Sequence, residues 1–277
     1  MAGKRLIYSG KSKDVYEITD GEYAGKFSLV FTDKATGYIA DDGTVVFDPG
    51  RDVVVGEIPG KGAIACRFAA HFFELLKSKG IPSHYITTIS ENEMIVEPAD
   101  ALSMLPQPDL EGATPLENLE FTWRNNATGS FWRRYPFVKP GQNLKCLVEI
   151  WTKGDVDVLI TAEALEESGA LSCEEIKDCI KLVQDIAYIV SEDFASKGLH
   201  VLDGKFELGR LRDGDGKIVI IEEISPDVLR VCDGYTPGEN GDCDIWRECT
   251  VTSCKNGKRS IKQKRQVPAK DFVSVFL

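Results

Sequence analysis

The segment KFELGRLRDGDGKIVIIEEISPD, residues Lys205 to Asp227, carries the clearest fold signal in this chain of 277 residues. Apolar and charged residues alternate on both sides of the sequence DGDG, a pattern that predicts two strands joined by a tight turn. Pro226 cannot donate a hydrogen bond to a strand ladder, so we expect the second strand to end there. Ser225, Asp227 and Arg230 would then lie on the loop that leaves the strand, where charged residues are frequently functional.

The same hairpin predicts a metal site. Lys205 and Glu207 are two residues apart on a strand and therefore point to one face. A turn centred between residues 214 and 215 would place Glu222 opposite Glu207, and two facing carboxylates repel unless a cation lies between them. Mg²⁺ held by one or two carboxylates and substrate phosphates is usual in ATP enzymes. The alternative is an exposed hairpin face of charged pairs.

The rest of the chain predicts an α+β protein with two sheet-based lobes. Alternating strands fill the first 60 residues, and apolar residues at helical spacing follow Pro59-Gly60. A capping box at Ser172 and Glu175 starts the clearest helix, and Thr161 is a candidate cap for a shorter one. A loop rich in proline and acidic residues separates a nucleotide-binding lobe, residues 1–98, from a metal- and substrate-binding lobe, residues 99–277.

Composition limits the class of protein. The net charge of −11 argues against a general nucleic-acid binder, and no apolar run approaches the roughly 18 residues of a membrane span. We therefore expect a cytoplasmic protein. The basic segment Lys255–Gln266 is either a solvated tail or a phosphate-contacting arm. Four cysteines between Cys232 and Cys254 are either separate structural thiols or a local disulfide or metal clip.

Three further segments combine glycine with cationic side chains. Gly10-Lys11-Ser12-Lys13 lies between two predicted strands and could fold over nucleotide phosphates, although a plain surface turn fits the same letters. Lys61 lies at a predicted helix start, which favours anions. In Arg124–Ser130, an arginine suited to bidentate anion capture precedes a Gly-Ser step; a plain loop is the alternative.

Taken together, these segments resemble the SAICAR synthetase family. The resemblance covers roughly residues 5 to 233 and depends on five motifs in the family's order. They are G-K-S-K-x-V-Y-E from Gly10, P-G-K-G-A-I from Pro59, R-N-x-x-x-G-S from Arg124, K-F-E-L-G from Lys205 and E-E-I-S-P-D-x-x-R from Glu222.

The resemblance implies a two-lobed α+β fold, related to kinases and ATP-grasp enzymes, with a nucleotide cleft between antiparallel sheets. It implies an ATP- and Mg²⁺-dependent ligase that joins carboxyaminoimidazole ribonucleotide (CAIR) to L-aspartate through an acyl phosphate, and it allows a homo-oligomer. By position it implies ATP contacts at Gly10, Lys11, Ser12, Lys13, Lys61 and Glu97, metal ligands at Glu207 and Glu222, nucleotide-substrate contacts at Arg124, Ser130 and Arg230, and catalytic roles for Lys205, Asp227 and Arg230.

The chain departs from the family pattern at several positions. Ala65 and Cys66 stand where the family has two asparagines, Glu222 replaces an aspartate, and the segment after Asp233 lacks the usual closing motif. These departures keep two alternatives open. One is a related ligase that acts on a different carboxylate or amine, and the other is a small-molecule kinase of the inositol-phosphate type.

Overall fold

The computed structural model describes residues 3–47, 53–104, 118–153, 156–213 and 215–233. The elements in chain order are β1 (Lys4–Ser9), β2 (Lys13–Ile18), β3 (Phe27–Phe31), β4 (Lys34–Ile39), β5 (Val45–Phe47), β6 (Val53–Glu57), α1 (Lys61–Ser78), β7 (Tyr85–Ser90), β8 (Glu93–Val96), β9 (Ala99–Ala101), β10 (Asn118–Asn126), α2 (Gly129–Arg134), β11 (Asn143–Lys153), β12 (Leu159–Ile160), α3 (Ala162–Glu167), α4 (Cys173–Ala195), β13 (Leu199–Leu211), β14 (Ile218–Ile221) and β15 (Leu229–Asp233).

The chain forms two compact units, Met1–Leu102 with Leu208–Asp227, and Ser103–Glu207 with Val228–Leu277. This division differs from the predicted boundary at residue 98, because the second half of the hairpin belongs to the first unit. The physical reason is backbone pairing: the His84 amide donates to the Ile220 carbonyl at 3.2 Å, and β9 pairs with the end of β13.

The first unit contains an antiparallel sheet of order β1-β2-β3-β8-β7. Helix α1 packs on this sheet and buries Phe72, Phe73 and Leu76 against Met94 and Ile95, all of them inaccessible to solvent. Strands β7 and β8 form an antiparallel hairpin that turns at residues 91–92. A separate sheet of order β5-β4-β6 was not predicted in this form, because its strands are short and largely exposed.

The second unit is a sheet of order β12-β11-β10-β13, with β15 paired to the first part of β13. Helix α4 covers β10 and β11 with an apolar face that includes Val183, Ile186 and Val190. Its capping box is confirmed: the Ser172 hydroxyl accepts from the Glu175 amide, and the Glu175 carboxylate accepts from the Ser172 amide. The α+β prediction is confirmed as well. No helix among the described residues is long and apolar enough to cross a bilayer.

Candidate active site

The predicted Gly10–Lys13 segment forms the tight turn between β1 and β2. The Gly10 amide donates to the Lys13 carbonyl at 2.8 Å, and a Cβ at Gly10 would lie only 2.9 Å from that carbonyl oxygen, so the turn requires glycine. The two lysines differ in environment: Lys11 is exposed, whereas Lys13 is buried. This turn therefore offers one solvated and one preorganised cation.

The buried ammonium of Lys13 contacts two consecutive carboxylates. Its Nζ lies 2.5 Å from Glu222 Oε2 and also pairs with Glu223. Burial alone would lower the pKa of Lys13, but Glu222 and then Glu223 raise it above its ordinary value, so Lys13 stays protonated. Burial raises the pKa of Glu223, against the lowering effect of Lys13. The sequence did not predict a role for Glu223.

Glu222 does not continue the strand ladder, which corrects the predicted hairpin. Strand β14 ends at Ile221, and Glu222 adopts a left-handed φ of 66°, which is uncommon for a residue with a side chain. The buried His84 ring supports this conformation, since its Nε2–H donates to the Glu222 carbonyl at 3.2 Å. Burial lowers the pKa of His84 to about 4, so the ring is neutral at pH 7.

The start of α1 is already occupied by an internal anion. The amides of Gly60 and Gly62 donate to the Asp33 carboxylate at 3.0 and 2.9 Å, and these bonds, Gly62 first, lower the pKa of Asp33. Lys61, predicted to contact ATP, pairs with Asp227, predicted to be catalytic. The amides at the helix start therefore bind Asp33, and the positive charge at this end of α1 comes from the Lys61 side chain.

Glu97, predicted to contact ATP, lies directly after β8. Its carboxylate lies 2.5 Å from Lys26 Nζ, and this hydrogen bond raises the pKa of Lys26. The Glu97 amide donates to the His84 carbonyl at 2.7 Å. The passage from β8 to β9 is thus fixed by both backbone and side chain.

In the second unit, Arg124 is the centre of a buried charge network. Its guanidinium donates to Glu149 at 2.9 Å, to Asp203 at 2.8 Å and to the Ser130 hydroxyl at 3.0 Å. Its side chain is 3% exposed, so all three donors are committed inside the protein. The structure therefore brings Arg124 and Ser130 together, as the motif predicts.

Arg230 reaches the same network from β15. Its Nε and Nη2 bind the two oxygens of Asp203 at 2.6 and 2.5 Å, a bidentate geometry that fixes the guanidinium plane. The predicted loop position of Arg230 is wrong: the chain turns after Pro226 and forms a new strand paired with β13. Gly129, with φ of 51°, leaves room for this guanidinium, because a Cβ there would lie 2.1 Å from Arg230 Nη1.

Two arginines of α2 were missed as site residues. The sequence analysis predicts no helix at this position, but Gly129–Arg134 form the helix α2. Arg134 pairs with Glu149 and stacks 4.6 Å from the centre of the Trp151 ring. Arg133 has no carboxylate partner among the described residues, and its pKa is lowered by partial burial, then by Arg230, Arg124 and Arg134.

Lys205 and Glu207 lie on one face of β13, as predicted, but the strand register gives Glu207 a different neighbour. Glu120 of β10 lies directly opposite Glu207, and Lys205 Nζ bridges to Glu120 at 2.9 Å. Lys153 pairs with Glu207. Glu207 belongs to the second unit and Glu222 to the first. The metal role of both stays a prediction.

The donor set of the first unit fits a hard cation. Glu222 and Glu223 are adjacent carboxylates that share a cationic partner in Lys13. No group of three or more metal-ligating side chains occurs in the described ranges. Mg²⁺ bound to a nucleotide requires only one or two carboxylates, because phosphates and water complete its octahedron.

The comparisons with known proteins point to one family. The family model described as SAICAR synthetase matches residues 6–264. The match extends past the limit near residue 233 that the motifs predict and takes in the cysteine-rich segment, which lies outside the described residues.

A phosphoribosylaminoimidazole-succinocarboxamide synthase from Clostridium tetani is 37% identical, over 84% of this chain and 93% of that protein. A solved SAICAR synthetase in complex with ADP is 29% identical, with a TM-score of 0.64, over 87% of this chain and 89% of that one. The Ehrlichia chaffeensis phosphoribosylaminoimidazole-succinocarboxamide synthase, 22% identical with a TM-score of 0.67 over 88% of this chain and 91% of that one, shows the same fold.

Proposed function

Since the chain belongs to the SAICAR synthetase family, we propose that it is an ATP-dependent ligase that joins the carboxylate of CAIR to the amine of L-aspartate. A carboxylate is a poor electrophile. A carboxylate oxygen first attacks the γ-phosphorus of ATP, and ADP leaves. The aspartate amine then attacks the acyl carbon of the resulting acyl phosphate, and inorganic phosphate leaves as the amide forms.

The observation that carries the proposal is the assembly of Arg124, Ser130 and Arg230 around Asp203. Arg124 and Ser130 belong to one motif of the family and Arg230 to another, and Asp203 lies between these motifs in the sequence. The cluster, completed by Arg133, Arg134 and Glu149, carries four guanidinium groups against two carboxylates. Its net charge of about +2 suits a phosphate dianion such as that of a nucleotide substrate.

The nucleotide half of the reaction is assigned to the first unit. Lys11, Lys13 and Lys61, with Gly10 and Ser12 of the turn, supply cations and backbone groups for the ATP phosphates, and Glu97 marks the expected adenine edge. A solved SAICAR synthetase is in complex with ADP, which supports nucleotide binding by this chain. Glu222 and Glu207 would hold Mg²⁺, which supplies charge neutralisation at the transferred phosphoryl group.

Lys205 and Asp227 are assigned to the reacting centre. Lys205 is nearly half exposed, so its ammonium can leave Glu120 and neutralise negative charge on the transferred phosphoryl group. Asp227 holds Lys61 in place. Neither residue is needed to fill the apolar core, which favours a chemical role for both.

The remaining expectations concern assembly and location. The sheet of β4, β5 and β6 exposes Ile39, Phe47 and Val53, and apolar side chains at this density favour an interface in a homo-oligomer. Light scattering measures the mass and checks this prediction. The cytoplasmic location and the exclusion of nucleic-acid partners stay predictions from charge and composition.

The proposal is tested by ADP release from purified protein with Mg-ATP, CAIR and a panel of amines. We expect release that depends on CAIR and on aspartate together. Turnover with CAIR and another amine, and none with aspartate, would replace aspartate by that amine and make the chain a related ligase. Phosphate transfer to a polyol without amide formation would overturn the ligase assignment.

A further inference from the structure

The two carboxylates that contact Lys13 differ sharply in exposure. The Glu223 side chain is 4% exposed and the Glu222 side chain 38%, while Lys13 itself is 7% exposed. A buried charge pair is hard to separate, because each partner would be left uncompensated in a medium of low polarity. An exposed carboxylate loses its partner at little cost, since water replaces the contact. Lys13 therefore has one fixed partner and one exchangeable partner.

The backbone of Glu222 is held independently of its carboxylate. Its carbonyl accepts from the buried His84 ring, and its left-handed φ is set at the end of β14. The carboxylate can therefore change partner without a rearrangement of the strand. Ser12 adds a further hydroxyl contact to Lys13 Nζ at 3.4 Å, on the same side as the turn that precedes β2.

We propose that Glu223 is a positioning residue that holds Lys13 in place, and that Lys13 acts as an internal counter-cation of Glu222 until a divalent metal replaces it. The inference rests on the proposed role of this site in binding Mg-nucleotide. When the metal binds Glu222, Glu223 still holds the Lys13 ammonium in place. The ammonium no longer pairs with Glu222 and can bind a phosphate oxygen of the nucleotide. The metal and Lys13 therefore compete for the Glu222 carboxylate, but both bind the phosphates of the same nucleotide.

In the nucleotide-free protein, this competition predicts that substitutions of Lys13 and of Glu223 change the metal affinity in opposite directions. Lys13→Met removes the competitor, so Mn²⁺, used as the probe for Mg²⁺, should bind on the order of tenfold tighter. Glu223→Gln leaves Glu222 as the only carboxylate on Lys13, so Mn²⁺ should bind more weakly. Both variants should bind ADP more weakly in the presence of a chelator. A purely structural role for the pair would weaken binding of Mn²⁺ in both variants.

The experiment measures free Mn²⁺ by electron paramagnetic resonance in titrations of the full chain. Lys4→Met is the matched control, because Lys4 has the same charge and pairs with Glu93 in the same unit. Its Mn²⁺ affinity should equal that of the wild type. An unchanged or weaker Mn²⁺ affinity in Lys13→Met, or no Mn²⁺ binding to either protein, would overturn the inference.

A second variant covers the case in which Lys13→Met fails to fold. Glu222→Gln changes a partly exposed residue, so the unit should fold. It should lose Mn²⁺ binding and bind metal-free ADP several-fold tighter, since Lys13 then keeps only its fixed partner Glu223 and no longer pairs with residue 222. Asp14→Asn is the control, because it removes the same charge from the residue next to Lys13. Its affinity for metal-free ADP should not rise. If wild-type protein binds Mn-ADP but Glu222→Gln matches it, the inference fails while the proposed function stands.

Discussion

Arg124 and Asp203 lie directly opposite each other on β10 and β13, and Arg124 Nη1 lies 2.8 Å from Asp203 Oδ2 inside the second unit. The same Asp203 receives both donors of Arg230. One buried carboxylate therefore orients two guanidinium groups from strands that are far apart in the sequence. The proposed anion site depends on this carboxylate for its geometry as well as for its charge balance.

Asp203→Asn should destabilise the protein. The change leaves Arg124 buried with one carboxylate instead of two, and removing one partner of a buried ion pair costs about 3 kcal/mol or more in unfolding free energy. Urea denaturation measures the loss. Asp193→Asn is the control, because Asp193, at the end of α4, forms an i,i+4 pair with Lys197, just beyond the helix, that should be worth at most about 0.5 kcal/mol. Equal losses in the two variants would contradict the network.

Arg133→Gln should impair binding of the phosphate-bearing substrate without loss of stability. Arg133 is exposed and forms no ion pair among the described residues, so the fold does not require it. Loss of one charge-assisted contact of about 1.5 kcal/mol should raise the KM for that substrate roughly tenfold, with kcat nearly unchanged. Steady-state kinetics measure this. Lys177→Gln, the same charge change on the exposed face of α4, should leave KM unchanged.

Gly129→Ala should displace Arg230. The added Cβ would overlap the guanidinium, so Arg230 must move off Asp203, and we expect kcat/KM to fall at least tenfold. Gly169→Ala separates this clash from backbone strain, because Gly169 has a φ of 72° and open space around its Cβ position. The control should lose some stability and keep its kinetics. Similar kinetic losses in both would attribute the effect to strain.

The protein should lose stability as the pH falls from 7 to 5, in part through His200. Burial lowers the pKa of His200 from 6.5 to about 4, so the unfolded chain binds a proton in this range that the folded chain does not. Stability is therefore full above pH 6.5 and falls by about 2 kcal/mol at pH 5. Unfolding curves of wild type and His200→Gln at both pH values measure the contribution. An equal pH dependence in the two proteins would contradict it.

The fold was largely predictable because its signals are local. The capping box at Ser172, the pairing of β13 with β14 and the hairpin at residues 91–92 each depend on residues a few positions apart. The order of five family motifs then identified the two-lobed α+β fold. The short strands β5 and β6 gave no comparable signal.

The site was only partly predictable because its geometry depends on non-local register. Nothing near Glu207 in the sequence indicates that Glu120 lies opposite it, and nothing near Gly60 indicates that Asp33 binds the start of α1. Arg230 was misplaced because the segment after β14 is short and a new strand begins at Leu229. If α2 had been recognised as a helix, the spacing of three and four residues from Ser130 and Gly129 would have indicated Arg133 as a candidate anion-binding residue.

Amide formation through an acyl phosphate moves one carboxylate oxygen to the released phosphate, and an isotope label follows that transfer. CAIR labelled with ¹⁸O in its carboxylate is converted with Mg-ATP and aspartate, and the released phosphate is examined by mass spectrometry. We predict one ¹⁸O atom in each inorganic phosphate formed, because the carboxylate oxygen that attacks ATP leaves with the phosphoryl group. Amide product accompanied by unlabelled phosphate would exclude an acyl phosphate intermediate.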